Sequence, residues 1–347
     1  MRLPFAAALC LTALPALAND GFGGISATGL TFGQTDAVLM LTEDLFISLD
    51  EIKVDYTFEN TSSADVTGEV IFPMPPIPVE ATAYSDWNLP EDHNTPDLID
   101  FRAVVDGKDQ PVTLDRVAVI EPPYEENAPL ARQYDTPGTD VTAEVTALGL
   151  PITLDQPTVA AALLALSPQD RQKAVAAGLV EYLPAGDGFD EQAVALWSLV
   201  SRYHWTQTFP AGQELRISHS YKNRSPGGIF GWEHPAPDYM APEVARFCID
   251  DGTSQAIAKR LQNPEPENGN YGVAYYITYV LRTANSWAGP IGRFRLTLDK
   301  DKAENILSLC AEGVKKTGPT TFVVEKTDYT PDRDLEVLLV MPMYPSE

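Results

Sequence analysis

The stretch from Ile52 to Glu80, IKVDYTFENTSSADVTGEVIFPMPPIPVE, decides the fold class. In its first part Ile52, Val54, Tyr56 and Phe58 alternate with Lys53, Asp55, Thr57 and Glu59. That period of two gives a strand one buried and one wetted face. A polar connection, Asn60-Thr61-Ser62-Ser63-Ala64-Asp65, follows, and then Val66, Val70, Phe72 and Met74 resume the alternation. Pro73, Pro75, Pro76 and Pro78 lack the N–H that a ladder needs and stop it. The spacing predicts a long hairpin, the nucleus of an antiparallel sandwich. It is scaffold and specifies no chemistry.

Upstream, a Gly-rich lead enters short strands at Thr31–Phe32 and Ala37–Thr42. Downstream, Ala81–Ile99, with Trp87 and several Pro and Asp, is turn-rich and predicts a surface excursion. Phe101–Val105 and Val112–Val119 resume strand character around the turn dipeptide Asp106-Gly107. Residues 121–138 have no period and predict a linker. Thr158–Leu166 is rich in Ala and Leu, and Ser167-Pro168-Gln169-Asp170 supplies an N-cap, a first-turn Pro and an acid for a second helix reaching about Leu183. Ala193, Leu196, Trp197 and Val200 fall on one helical stripe, predicting a third helix over Asp190–Tyr203. Strands return at Trp205–Phe209 and Glu214–Lys222, and a short helix is expected around Glu243–Gln262. Tyr275–Arg282, Phe294–Leu298, Ile306–Cys310, Thr321–Thr327 and Leu335–Val340 close the chain as strands. The expected fold is mainly β, with antiparallel sandwich-like regions at 19–120 and 204–347. Between them, residues 121–203 form a linker and a helical insertion (about 155–203).

The first residues, MRLPFAAALCLTALPALA, place one Arg before an apolar run and end in Ala16-Leu17-Ala18. This is the layout of a secretory signal peptide, with cleavage expected after Ala18 and a periplasmic or secreted product. The run is too short to span a bilayer, and no later stretch is long enough. An uncleaved buried helix is the alternative. The chain carries 49 acids against 24 Lys and Arg, a net charge of −25. Such a surface repels phosphate backbones, so nucleic acid is not an expected partner. Its simplest role is solubility. Cys10 falls within the leader, leaving Cys248 and Cys310, an even pair that predicts a disulfide in an exported protein, with two buried thiols as the alternative. Asn60 and Asn223 each begin an Asn-x-Ser triplet, an acceptor for glycosylation only in a eukaryotic secretory pathway.

Five motifs, Glu43–Ser48 (EDLFIS), Phe58–Ser62 (FENTS), Phe72–Pro75 (FPMP), Phe209–Gly212 (FPAG) and Trp287–Phe294 (WAGPIGRF), together resemble the bacterial family called domain of unknown function 4424. The resemblance covers most of the chain after the leader and implies a bacterial envelope or exported location. The family has no assigned activity, so it lends no catalytic residue. The N-terminal half, with FENTS, FPMP and Val105-Asp106-Gly107-Lys108, is also similar in layout to the vault and inter-alpha-trypsin type of sandwich, which bears on fold alone.

The sequence has no Walker loop, G-x-S-x-G, H-E-x-x-H or C-x-x-C. Its histidines are His93, His204, His219 and His234. His219 lies with Leu215, Ile217 and Tyr221 on the apolar face of a strand, and His204 adjoins Trp205 where packing explains it. Trp232, Glu233 and His234 put an aromatic, an acid and an imidazole together in one loop, the candidate site to watch. Asp299 with Asp301, and Asp328 with Asp332 and Asp334, are carboxylate groups without the loop register that Ca²⁺ sites use. Trp287 with Tyr275, Tyr276 and Tyr279 could floor a sugar or peptide site, or simply be core. The expectation is a non-enzymatic structural or protein-interaction module of the envelope, with no cofactor or metal and a protein partner. The alternatives are a binding module for a glycan, peptide or Ca²⁺, and a hydrolase built on His204, His219 or His234.

Overall fold

A computed structural model describes residues 21–26, 29–83, 86–122, 138–186, 188, 190–263 and 269–343. The signal-peptide reading of residues 1–18 and most of the expected linker lie outside the described residues. Strands are numbered here in chain order. An eight-stranded sheet runs β20 (Lys315–Lys316), β21 (Thr321–Tyr329), β18 (Ile291–Asp299), β3 (Val38–Ile47), β4 (Glu51–Asn60), β15 (Glu214–Lys222), β8 (Arg102–Val105) and β9 (Lys108–Gln110). Every pairing in it is antiparallel except β3 with β18. A second sheet runs β11 (Thr139–Asp140), β10 (Thr113–Ile120), β14 (Ser198–Phe209), β5 (Val66–Pro73), β1 (Gly21–Ser26) and β2 (Gly29–Phe32), with β6 (Ile77–Pro78) joined to β14. A third runs β19 (Ile306–Leu309), β22 (Leu335–Pro342), β17 (Tyr271–Tyr279), β16 (Pro226–Gly231) and β7 (Asp86–Trp87), and β12 (Val180–Leu183) pairs with β13 (Gln192–Ala195).

The first two sheets meet face to face. Phe58 of β4 packs against Phe209 of β14 at 5.7 Å and against Trp287 at 4.5 Å between ring centroids. Phe72 of β5 meets Tyr221 of β15 at 5.2 Å. Each such fully buried ring contributes about 1.5–3 kcal/mol relative to exposure, so this seam carries much of the core. The third sheet presents Ile277, Tyr279, Val337 and Leu339 to the same core. Its other face, through Ala274, Leu338 and Val340, is covered by α4 (Ala241–Phe247) and α5 (Asp251–Arg260).

The deciding stretch makes two strands but not a hairpin. β4 pairs with β3 and β15, whereas β5 pairs with β14 and β1. The Asn60–Asp65 connection carries the chain from one sheet to the other, so the two apolar faces meet across the core. Alternation shows that a strand has a buried face; it does not show which strand lies at its edge. The Asp106-Gly107 turn is present, both residues at positive φ (46° and 76°), but it joins β8 to the short β9, and β10 crosses to the second sheet.

The insertion is shorter in helix than expected. It holds α1 (Thr142–Ala147), α2 (Gln156–Leu164) and α3 (Pro168–Ala176). Asp155 caps α2 by accepting from the Thr158 N–H at 2.8 Å, and Ser167 caps α3 by accepting from Asp170 N–H at 3.2 Å. After Ala177 the backbone turns left-handed at Gly178 (φ 68°) and enters β12, so no helix reaches Leu183. The expected third helix, Asp190–Tyr203, is β13 and the start of β14. The helix expected around Glu243–Gln262 is broken in two, with Cys248 left-handed (φ 50°) between α4 and α5. Hydrogen bonds also run across the three regions of the sequence: β4 to β15, β5 to β14 and β3 to β18.

Candidate functional site

His219 points from β15 into the seam, among the rings of Phe72 (5.1 Å), Tyr56 (5.3 Å), Phe101 (5.3 Å) and Trp205 (6.1 Å). It is core. His204 follows Tyr203 on β14 and therefore takes the other face. Its Nδ1 lies 2.9 Å from Glu69 Oε2, with both side chains more than nine-tenths buried, and Thr206 donates its hydroxyl to the same carboxylate. Asp115 stands 3.6 Å from Nε2. This is a paired, cross-strand clasp between β5, β14 and β10.

The Trp232-Glu233-His234 loop divides. Trp232 is buried, stacks on Phe230 at 5.7 Å and donates its indole N–H to Ser254 Oγ at 3.0 Å. His234 Nδ1 lies 3.1 Å from the same oxygen, with Asp251 3.9 Å from its Nε2, and the His234–Pro235 peptide is cis. Glu233 is exposed, as is His234 itself. A serine, an imidazole and a carboxylate in a row evoke acyl transfer, which requires an oxygen that a substrate can reach. Ser254 is only 5% exposed and its oxygen already accepts from Trp232. The arrangement fastens the loop to α5.

The acidic groups do not converge. Asp299 Oδ1 accepts from the Asp301 N–H at 2.9 Å, and Asp301 is left-handed (φ 66°). Between them Lys300 turns inward, its ammonium donating to the carbonyls of Ala303 (2.6 Å) and Asn305. Desolvation holds this amine below the ordinary lysine range. The loop thus closes on a cation of its own. Asp334 is buried against Arg282 at 2.8 Å, while Asp328 and Asp332 are exposed. Among the described residues no group of three or more His, Cys, Asp or Glu is placed to hold a metal ion. Trp287 packs on Phe22, Phe58 and Phe209, and Tyr279 lies buried with its hydroxyl 3.1 Å from that of Tyr56, while the half-buried Tyr275 and Tyr276 pack against different clusters, so the four rings make no common floor.

A cleft of about 580 Å³ lies where the α4–α5 corner faces β19 and β21. Cys248 and Cys310 form part of its wall, at disulfide distance with Cα atoms 5.0 Å apart. Cys248 is the C-cap of α4 and Cys310 follows β19. Leu307, Leu309 and Phe322 supply apolar wall, and Lys326, Tyr329 and Arg333 supply polar groups. On a regular strand Lys326 and Tyr329 would face opposite ways. Asp328, left-handed at φ 48°, interrupts the alternation, and Tyr329 comes round until its ring lies 4.3 Å from the Lys326 ammonium. Burial, then the charge of Asp332, pushes the Tyr329 phenol up to about 12. Lys326, Tyr329 and Arg333 did not stand out in the sequence. The walls come from segments far apart in the chain, and the reversal at Asp328 has no residue signature beyond an Asp.

A model of the family described as "Domain of unknown function (DUF4424)" matches residues 18–338. No curated protein matches the chain. Among solved structures, the crystal structure of a "putative nutrient binding protein" from Legionella pneumophila is similar at 15% identity, covering 92% of this chain and 72% of that one, with a TM-score of 0.41. At that distance nothing is carried over from it.

Proposed function

Since the chain belongs to the domain of unknown function 4424 family, which lends it no activity, we propose that it is an exported, non-enzymatic module that acts by binding a partner in the bacterial envelope. One observation carries this reading: the imidazoles named as candidates are already packed or partnered, His204 and His219 inside the fold and His234 at its surface. His204 is held by Glu69, His219 lies among core rings, and His234 meets a buried Ser254 already engaged by Trp232. A hydrolase would need one of these imidazoles beside a reachable nucleophile. Export, with cleavage after Ala18, rests on the leader-like first residues, and a cysteine pair at bonding distance suits an oxidising compartment. Among the described residues no helix is long and apolar enough to cross a membrane. The strongly acidic composition favours a partner that is not a nucleic acid.

Crosslinking in intact cells, followed by affinity capture from the native envelope and mass spectrometry, tests the proposal. A defined protein should be enriched over a tag-only control. A chain recovered alone, repeatedly, overturns it.

A further inference from the structure

The cleft beside Cys248 and Cys310 is lined by three acids and two bases, but the bases are set deeper than the acids. Acids outnumber bases 49 to 24 overall. Yet the acids lining this cleft, Asp250, Glu312 and Asp332, are all exposed, whereas the two basic residues, Lys326 and Arg333, are half-buried. Asp250 is moreover engaged as the N-cap of α5, accepting from the Thr253 N–H at 2.6 Å. Among the described residues neither Lys326 nor Arg333 forms an ion pair with a carboxylate, although acids are the commonest charged groups in the chain. Partly desolvated cations attract an anion more strongly than surface ones do.

The other groups narrow the class of anion. The Tyr329 phenol keeps its proton at neutral pH and so remains a hydrogen-bond donor beside Lys326. Leu307, Leu309 and Phe322 offer apolar surface in the same cleft, and about 580 Å³ is within the range that holds a small organic molecule. Arg333 brings the planar fork that matches a carboxylate. We propose that this cleft binds a carboxylate attached to an apolar body, with Lys326, Arg333 and Tyr329 at the anion and the leucines and Phe322 along the body. Two sources carry that chemistry, a free organic acid and the C-terminus of a peptide. The inference deepens the reading of the chain as a binding module, but the two fail separately. Envelope capture reports on a protein partner, and calorimetry on the purified chain reports on the cleft.

The probes are 3-phenylpropanoate and acetyl-Leu-Phe with a free carboxylate, each beside its primary amide, titrated calorimetrically into the oxidised chain. At least one acid should bind, and its amide should bind about tenfold more weakly or not at all. Binding of the small acid alone identifies an organic acid; binding of the dipeptide identifies a peptide end. Lys326→Gln and Arg333→Gln should each weaken the acid by about tenfold with an unchanged thermal midpoint, and Lys326→Arg should restore most of the affinity. If neither acid binds, if acid and amide bind alike, or if both Gln variants bind as tightly as the parent chain, the proposal is wrong.

Discussion

Asn60 and Asn223 open two Asn-x-Ser triplets and do the same work in both. Each accepts, on Oδ1, from the backbone N–H (3.0 and 3.1 Å) and the hydroxyl of the serine two residues on. Each donates from Nδ2 to main-chain carbonyls: Asn60 to Ala64 (2.9 Å) and Phe209 (2.8 Å), Asn223 to Ser48 (2.7 Å). They stand at opposite ends of the β4–β15 ladder, and both are buried. The triplet that looked like a glycosylation acceptor is a turn whose amide nitrogen is engaged by the fold. Asn60→Asp would set a carboxylate oxygen against two carbonyls, leaving buried groups unsatisfied at about 1–3 kcal/mol each. Urea denaturation at pH 7 should show it less stable than Asn60→Ala, and equal midpoints for the two variants would refute this account. A second residue-level expectation concerns alkali. Burial raises the phenols of Tyr203, Tyr221 and Tyr329, the last to about 12. The unfolded chain ionises first, near pH 10, so the stability these groups contribute is complete below pH 10 and falls as pH rises above it, the Tyr329 share being lost toward pH 12. Urea midpoints measured from pH 8 to 12 should fall within that window, with these tyrosines ionising only as the chain unfolds.

At the scale of the elements, β3 and β18 explain the WAGPIGRF motif. The β3–β4 register shifts between Met40 and Thr42, a bulge that leaves Leu41 over and moves the inward phase from Val38 and Met40 to Glu43, Leu45 and Ile47. The Leu41 carbonyl is pushed toward β18, where a methyl group on Gly292 would stand 2.7 Å from its oxygen. Gly292→Ala should therefore cost about 1–3 kcal/mol, the usual penalty for forcing atoms into a filled site. A variant with parental stability in thermal unfolding would show that the strand can retreat. Much of the strand pattern was legible in the sequence for the same reason that β4 was: one face is wet. Residues 190–203 were not. Ala193, Ala195, Trp197 and Leu199 alternate inward, but Val200 is buried too, and Ser198, His204 and Glu69 are buried on the opposite face. A strand covered on both sides yields a near-continuous apolar run, in which helical spacing can be found by accident. The Trp232–His234 loop failed as a site for a different reason. Sequence adjacency placed the three residues together, and burial then sent the indole inward and the carboxylate out.

For the whole molecule, the Cys248–Cys310 link joins the α4–α5 corner to the edge of the third sheet across 62 residues of sequence. Neither thiol should alkylate in the protein isolated without reductant until reductant is added, as intact mass will show. Cys310→Ser should lower stability by up to about 4 kcal/mol in the loop-entropy account. The loss should appear first as faster amide exchange in α4. The cleft was hidden from the sequence at this same scale, because only the folded chain brings β19, β21 and the α4–α5 corner together. The parallel seam between β3 and β18 carries a temporal consequence. β3 is among the earliest strands to leave the ribosome, and β18 is translated only after β17. A nascent chain halted before Trp287 would hold β3 with one edge open and the aromatic seam without that ring. Assembly must wait until nearly the whole polypeptide has been made, and the export proposed above would profit from such late closure, which keeps a chain threadable.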